Sequence, residues 1–252
     1  TLGALPQPSD LLEEDYQALV SQLHQLRTQL ISRADRQREE ETCYYTLWAH
    51  QIKTPIAALR ILLQSGEPRP ELEQELFKIE QYVEMVLQYL RLGSMSSDLL
   101  IRRYPLDSLV RQAVKKYASV FIHKKLYCRL EELPLEVLTD EKWLVFVLEQ
   151  LLSNALKYTR TGGVTIYLDP TRERTLVIED TGIGIQSEDI PRIFERGFTG
   201  YNGRMDKRAS GIGLSLCRRI LTRLSHQLAI TSQVGKGTRV FITFPTQQLE
   251  IE

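Results

Sequence analysis

The first third of the chain carries a repeating apolar seam. Six apolar side chains recur at alternating spacings of four and three residues: Leu12, Tyr16, Leu19, Leu23, Leu26 and Leu30. This is the heptad spacing of a coiled coil. From Arg33 through Glu41 the positions become polar, but good helix formers continue without Gly or Pro. We therefore predict a solvated helix with ion pairs here rather than a flexible break.

A helical hairpin is predicted next. The helical pattern runs through Pro55, which removes one backbone hydrogen bond and is expected to kink the helix, to Leu63. Gly66–Pro70 marks a turn, and a second helix ends at Gly93. Its apolar positions are Leu72, Leu76, Ile79, Val83, Val86 and Leu90. One hairpin leaves its apolar stripe uncovered, so we expect a homodimer that forms a four-helix bundle.

From about Ser94 the pattern changes to short strands and helices. Strands are predicted where β-branched and apolar residues lie between turn signals: Leu99–Tyr104, Leu126–Glu131, Val164–Asp169, Thr175–Glu179, Leu228–Ser232 and Arg239–Phe244. Helices are predicted over Leu106–Phe121, over Glu141–Tyr158 with Asp140 as N-cap, and over Gly211–Leu224. Without regular βαβ alternation, this predicts an α+β sandwich with helices on one face of a mixed sheet. We place the domains at 1–40 (coiled coil), 41–95 (hairpin) and 96–252 (sandwich).

Composition excludes several classes of protein. Lys+Arg and Asp+Glu are both 32, which gives no bulk reason to expect nucleic-acid binding. Cys43, Cys128 and Cys217 are odd in number and lack CxxC pairing, so we expect reduced thiols rather than disulfides or a metal site. No stretch reaches the roughly 20 apolar residues that cross a bilayer, and there is no signal-peptide pattern. The chain as given is therefore expected to be soluble, as a fragment of a membrane protein would also be.

Two polar elements suggest chemistry in the sandwich. Asn154 lies late on a predicted helix, where its carboxamide oxygen can bind Mg²⁺, and Lys157 shares its face and can neutralise phosphate. Alone, such an Asn is more typical of an ordinary helix end. Asp180-Thr-Gly182-Ile-Gly184 follows a predicted strand. Its glycines permit positive φ and close approach of a ligand, and its carboxylate can accept from an exocyclic amine.

Two further glycine-rich elements follow along the chain. Gly211-Ile-Gly213-Leu214 opens a helix, where backbone N–H groups form an anion site suited to phosphates. Gly235-Lys-Gly237-Thr238 precedes the last strand and in isolation is a hairpin turn. Between the second and third elements, the segment Arg196–Ser210 combines glycines with cations, as expected of an ATP lid or of a disordered surface loop.

Together and in this order, the four elements resemble the N, G1, G2 and G3 boxes of the ATPase fold shared by histidine kinases, DNA gyrase and MutL. Phe194–Phe198 is similar to the F box of the same fold. Trp48-Ala-His-Gln-Ile-Lys-Thr-Pro-Ile-Ala-Ala-Leu59 resembles the H box of sensor histidine kinases. The resemblance covers about residues 40–245 and implies a sandwich domain of the histidine kinase/gyrase type behind the hairpin.

The resemblance implies an ATP site with Mg²⁺ as its metal and Asn154 as the metal ligand. The nucleotide-binding residues that it implies are Asn154, Lys157, Tyr158, Asp180, Gly182, Gly184, Ile185, Phe198, Gly211, Ile212, Gly213, Leu214 and Thr238. It further implies that His50 takes the γ-phosphate and passes it to an aspartate in the receiver domain of a response regulator. Thr54, one turn later, is implied in dephosphorylation of that regulator.

Gln51 departs from the family pattern, which has an acidic residue after the histidine. A carboxamide cannot act as a general base near neutral pH, although it can hold the imidazole in one tautomer. The base thus stays open between water, another carboxylate and none. Gln51 also keeps a pseudokinase or phosphatase-dominant regulator as an alternative, beside a coiled-coil scaffold with a vestigial nucleotide fold. Gln150, where the family often has an earlier Asn, leaves its own metal role open.

The H-box variant is most similar to short membrane-anchored kinases that work beside peptide-antibiotic ABC transporters in Gram-positive bacteria. This implies that the chain is the cytoplasmic portion of a bacterial plasma membrane protein, with an ABC transporter as a further partner and no nucleic-acid partner. The heptad would connect the membrane to the hairpin as one helix over Leu11–Leu63. At 1.5 Å per residue, such a helix is about 80 Å long.

Overall fold

A computed structural model describes residues 11–65, 69–92, 95, 99–195, 197–200 and 211–246 of the chain. Helix α1 spans Leu11–Ser65 without interruption, so the helix continues through both the polar stretch and Pro55. Helix α2 spans Arg69–Leu92 and packs along the end of α1 to complete the predicted hairpin. The centre of the predicted turn, Gly66 to Pro68, and the predicted stop at Gly93 lie outside the described residues. None of the described helices combines the length and the apolar character needed to cross a bilayer.

The remaining elements are short strands and helices. The strands are β1 (Arg102–Pro105), β2 (Tyr127–Leu130), β3 (Glu136–Thr139), β4 (Gly163–Leu168), β5 (Thr175–Asp180), β6 (Gln227–Gln233) and β7 (Gly237–Thr243). The helices are α3 (Leu106–Lys116), α4 (Ala118–Lys124), α5 (Glu141–Tyr158) and α6 (Gly213–Arg223), with a 3₁₀ turn at Ile190–Arg192. Asp140 caps α5 as predicted, because its Oδ1 accepts from the Trp143 backbone N–H at 3.2 Å.

A mixed sheet organises the C-terminal part of the chain. Its strand order is β2-β4-β5-β7-β6, with a parallel β2–β4 pair and antiparallel pairs elsewhere, while β1 and β3 form a separate antiparallel pair. Helices α5 and α6 pack on one face, over alternating buried side chains of the central strands. These side chains are Val164, Ile166, Leu176, Ile178, Val240 and Ile242. The predicted α+β sandwich with helices on one face is confirmed.

Three elements differ from the sequence-based prediction. The single helix predicted over Leu106–Phe121 is wrong, because α3 ends before Tyr117 and α4 begins after it. The strand predicted over Leu99–Tyr104 is wrong at its start, since pairing with β3 begins only at Arg102. Strand β3 itself was not predicted. Its four residues form a strand because β1 supplies the hydrogen-bonding partner, which no local pattern reveals.

The end of the hairpin is buried in the same core as the sheet. Leu92 and Met95 are almost fully buried there. The Tyr117 ring, at the break between α3 and α4, meets Phe77 of α2 edge-on, with the ring centroids 5.6 Å apart. The Gln81 amide of α2 donates to the Tyr117 hydroxyl at 2.7 Å. Helix α2 is thus packed against the sandwich, which places the hairpin beside the functional site.

A buried histidine lies beneath the end of β7. His226 is 4% exposed, with its Nε2 3.0 Å from the Thr139 hydroxyl and its ring against Phe244. Burial lowers the pKa of His226 to about 4.

Cys128 and Cys217 are free thiols, as predicted, and the side chain of Cys43 lies outside the described part of the chain.

Candidate nucleotide-binding site

A cavity lies between α5, the end of β5, the start of α6 and one face of α2. It gathers most of the residues predicted to bind nucleotide: Asn154, Lys157, Tyr158, Asp180, Gly184, Ile185, Phe198, Gly211, Gly213, Leu214 and Thr238. Gly182 and Ile212 do not line it. The predicted lid falls mostly outside the described residues, at Arg196 and 201–210.

Asp180 lines the cavity at the end of β5. Its carboxylate is 8% exposed and accepts hydrogen bonds from the backbone N–H groups of Gly182, at 2.8 Å, and Thr238. Burial nevertheless raises the pKa of Asp180 to about 6, because the loss of water outweighs these two donors. The cavity therefore presents one desolvated hydrogen-bond acceptor, suited to an amino group of a ligand.

Glycines hold this acceptor in place by permitting close packing of the backbone behind it. A Cβ added at Gly182 would lie 2.7 Å from the Tyr158 carbonyl oxygen and 2.8 Å from Asp180 Oδ1. Gly237 has φ of +114°, and a Cβ there would lie 1.8 Å from the Asp180 carbonyl oxygen. Gly182 thus supports the site from behind, which explains why it does not line the cavity.

Other groups that line the cavity suit polyphosphate. The first backbone N–H groups of a helix have no intrahelical partner and attract anions, and Gly213 and Leu214 at the start of α6 line the cavity. Lys157 adds a side-chain cation at the end of α5. These groups supply the positive potential that phosphates require.

The cavity also carries oxygen donors for a metal. Asn154 and Gln150, one turn apart on α5, both line the cavity. Gln150 is buried, and its Oε1 lies 3.4 Å from the position of a Cβ on Gly213. Two carboxamide oxygens beside a phosphate site fit Mg²⁺, which takes few protein ligands and keeps water and substrate phosphates as the rest.

Ile212 faces away from the cavity and packs on the hairpin. Its side chain is 3% exposed and lies in a cluster with Val86, Trp48, Met85 and Tyr89 of the two hairpin helices. The loop that presents Gly213 to the cavity is therefore anchored to the hairpin through its central residue. The predicted contact of Ile212 with nucleotide stays a prediction, since a box motif does not show which of its side chains packs on a neighbouring helix.

The hairpin supplies a wall of the cavity that the sequence analysis missed. Lys78, Gln81, Tyr82 and Met85 of α2 all line the cavity. They lie at positions i, i+3, i+4 and i+7, so they form one stripe along α2, offset from the predicted bundle seam. This spacing is visible in the sequence and indicates a face of α2, but it does not show what that face packs against.

The predicted H box lies on α1 beside this wall. Gln51 is only 9% exposed, and the Tyr82 hydroxyl donates to its Oε1 at 3.0 Å. Thr54 is exposed, one turn after position 50. His50 lies within α1, but its side chain is outside the described part of the structure.

Comparisons with known proteins fit this arrangement. The model of the histidine kinase-, DNA gyrase B- and HSP90-like ATPase family matches residues 139–248. Sensor protein BceS of Halalkalibacterium halodurans is 37% identical over 213 residues, covering 83% of this chain and 64% of that protein. Sensor histidine kinase GraS of Staphylococcus haemolyticus is 33% identical over 250 residues, covering 94% of this chain and 72% of that protein. The chain thus spans about two thirds of the length of these relatives.

Among solved structures, the Acinetobacter baumannii histidine kinase AdeS has a TM-score of 0.56 and 22% identity, and the match covers 79% of this chain and 98% of that one. At this identity the likeness shows a common fold. The similarity to GraS, by contrast, extends over nearly the whole chain, from the coiled-coil helix through the sheet. The chain therefore belongs to the sensor histidine kinases.

Proposed function

We propose that this chain binds ATP with Mg²⁺, transfers the γ-phosphate to its own His50, and passes the phosphoryl group to an aspartate in the receiver domain of a response regulator. One observation carries the proposal. The cavity that gathers the predicted nucleotide-binding residues has a wall made by α2, the partner of the helix that contains His50.

In this proposal, Asp180 accepts a hydrogen bond from the adenine amino group, and Tyr158 contacts the adenine or the ribose. Lys157 and the N-terminus of α6 hold the phosphates. Asn154 and Gln150 would hold Mg²⁺, which when bound neutralises phosphate charge. The cavity thus combines one amine acceptor with groups suited to phosphate and to a metal.

The transfer step needs an unprotonated ring nitrogen on His50. That nitrogen forms a bond to the γ-phosphorus as the bond from phosphorus to the β–γ bridging oxygen breaks, and ADP leaves with the electron pair. The imidazole loses its remaining N–H proton to solvent water. Gln51 takes no proton in this scheme, because a carboxamide has no basic lone pair near neutral pH.

Helix α1 also carries the residue that the resemblance implies in dephosphorylation of the regulator. We propose that the Thr54 hydroxyl orients water against the phosphoaspartate of the regulator. Thr54 is exposed on α1, so a receiver domain can reach it. Dephosphorylation would then use the same docking surface as phosphotransfer.

The proposed assembly is a homodimer. The heptad side chains of α1 from Leu12 to Leu30 are 59% to 79% exposed in one chain, a contiguous apolar seam that a second copy would cover. We further propose that the dimer is the cytoplasmic part of a bacterial membrane protein, with α1 as its connection to the membrane. An ABC transporter is the partner that the H-box variant suggests.

The test is incubation of the purified dimer with γ-labelled ATP and Mg²⁺. We expect label that is stable to alkali and labile to acid, as a phosphohistidine is. His50→Ala should abolish the label, whereas His24→Ala, which removes an exposed histidine on the same helix, should keep it. Addition of a receiver domain should discharge the label from the wild type. Equal labelling of His50→Ala and wild type would refute the proposal.

A further inference from the structure

One residue of α2 holds the H box on both sides of the phosphoacceptor position. The Tyr82 carbonyl oxygen accepts a hydrogen bond from Trp48 Nε1 at 3.0 Å, two residues before position 50. The Tyr82 hydroxyl donates to Gln51 Oε1 at 3.0 Å, one residue after it. Main chain and side chain of a single residue therefore fix the turn of α1 that contains position 50.

The same residue forms part of the nucleotide cavity. Tyr82 lines it together with Gln81, whose amide donates to the buried Tyr117 of the sandwich. The turn of α2 that lines the cavity is therefore tied to the H box on one side and to the ATPase domain on the other. Trp48 also packs in the cluster around Ile212, next to the predicted phosphate-binding Gly213.

We propose that Tyr82 is a positioning residue for phosphoryl transfer, which fixes the phosphoacceptor turn of α1 relative to the nucleotide. In this arrangement Gln51 is the acceptor through which Tyr82 holds α1. Where the family usually has an acidic residue, this chain thus has Gln51, whose side chain accepts the hydrogen bond from Tyr82. The inference rests on the proposed autophosphorylation of His50.

The physical reason is the steep dependence of phosphoryl transfer on geometry. A displacement of about 1 Å between nucleophile and phosphorus can cost on the order of a hundredfold in rate. Tyr82 lines the cavity, and its hydroxyl donates to Gln51 of α1. Removing the hydroxyl alone should therefore affect the rate of transfer more than nucleotide binding.

The experiment compares Tyr82→Phe, Gln51→Leu and the double variant in the full dimer. Rates come from single-turnover labelling with γ-labelled ATP at saturation, and affinities from titration with a fluorescent ATP analogue. The matched control is Tyr167→Phe, which removes a tyrosine hydroxyl that donates to Glu179 at 2.9 Å on the sheet face away from the cavity. Thermal unfolding checks that each variant is folded.

We expect Tyr82→Phe and Gln51→Leu each to lower the labelling rate about tenfold, with nucleotide affinity within about twofold of wild type. The double variant should be no slower than the slower single variant, since both remove one interaction. Tyr167→Phe should label at the wild-type rate, and Tyr82→Ala, which also removes the ring, should weaken nucleotide binding.

Three results would overturn the inference: an unchanged rate in Tyr82→Phe, a double variant about a hundredfold slower, or affinity reduced as much as rate. Loss of labelling in the wild type, or labelling of His50→Ala, would instead overturn the proposed function, and the inference with it. The two failures are therefore distinguishable within one set of proteins.

Discussion

Replacement of Asp180 by Asn should stabilise the ATP-free protein while it weakens ATP binding. The carboxylate is 8% exposed, and burial raises its pKa to about 6 from an ordinary 3.8. The native state therefore holds the proton more tightly than the unfolded state does. The resulting stabilisation is fully present below pH 3.8 and is lost as the pH rises through about 6.

The size of the effect follows from the two pKa values. A difference of about two pH units corresponds to about 3 kcal/mol, which is the cost of keeping this carboxylate ionised in the folded protein above about pH 7. Asn carries no charge, and its oxygen can still accept from the Gly182 N–H. For ATP binding, Asp180→Asn loses a hydrogen bond from the ligand to a charged acceptor. Such a bond is worth about 1.5–3 kcal/mol, which corresponds to about 10- to 150-fold in affinity.

The assay is urea unfolding of wild type and Asp180→Asn without nucleotide at pH 8 and pH 4.5, together with ATP titrations from pH 5 to pH 8. We expect the stability advantage of the variant to be about 3 kcal/mol at pH 8 and to shrink to about 1 kcal/mol at pH 4.5. Wild-type affinity for ATP should fall below about pH 6, and the weaker affinity of the variant should stay flat. Glu179→Gln is the matched control, because this neighbour points to the other sheet face and pairs with Arg239 at 2.8 Å. Equal stability at pH 8, or wild-type affinity in Asp180→Asn, would refute the reasoning.

Four further predictions concern other parts of the chain. Gly237→Ala should abolish ATP binding and lower the urea midpoint far more than Gly235→Ala, because a Cβ at the first position meets backbone and one at the second meets nothing within 4 Å; similar midpoints would contradict this. Thr54→Ala should spare labelling of the kinase and slow dephosphorylation of the regulator, and an equal loss of both would speak against its role. Because the pKa of His226 is lowered to about 4 from 6.5, the wild type should lose about 3 kcal/mol as the pH falls through that window. His226→Gln should lack this loss, so that the stability difference between the two proteins is larger at pH 7.5 than at pH 4.5; a constant difference would contradict the burial argument. Gln51→Glu should raise the labelling rate by adding a base, and an unchanged or lower rate would count against that.

Local sequence determined the elements whose stability is local. The spacing of apolar residues and the run of helix formers from Arg33 through Glu41 predicted α1, which tolerates Pro55 inside it, and one side chain, Asp140, set the start of α5. Glycine spacing also predicted positive φ after β5, as at Gly184, where φ is +71°. These features depend on neighbours within a turn or two, so the sequence displays them directly.

Strand β3 and the break at Tyr117 were not predictable in this way. Four residues become a strand only because β1 lies alongside, and a helix without Gly or Pro is interrupted where the Tyr117 ring meets Phe77 of α2. In both cases the partner is more than thirty residues away in the chain. Pairing across such distances depends on the assembled fold and leaves no local periodicity.

The functional site shows the same division. Asp180, Asn154 and Gly213 were predictable, because their chemistry and spacing are those of a nucleotide site. The wall formed by Tyr82 and its neighbours was not, nor was the position of Ile212 against the hairpin. Which face of α2 meets the ATPase domain is decided by how the hairpin and the sandwich pack on each other. The sequence by itself therefore determined which residues suit a nucleotide, and only the tertiary structure decided which face of α2 lines the cavity, because that depends on packing between distant segments.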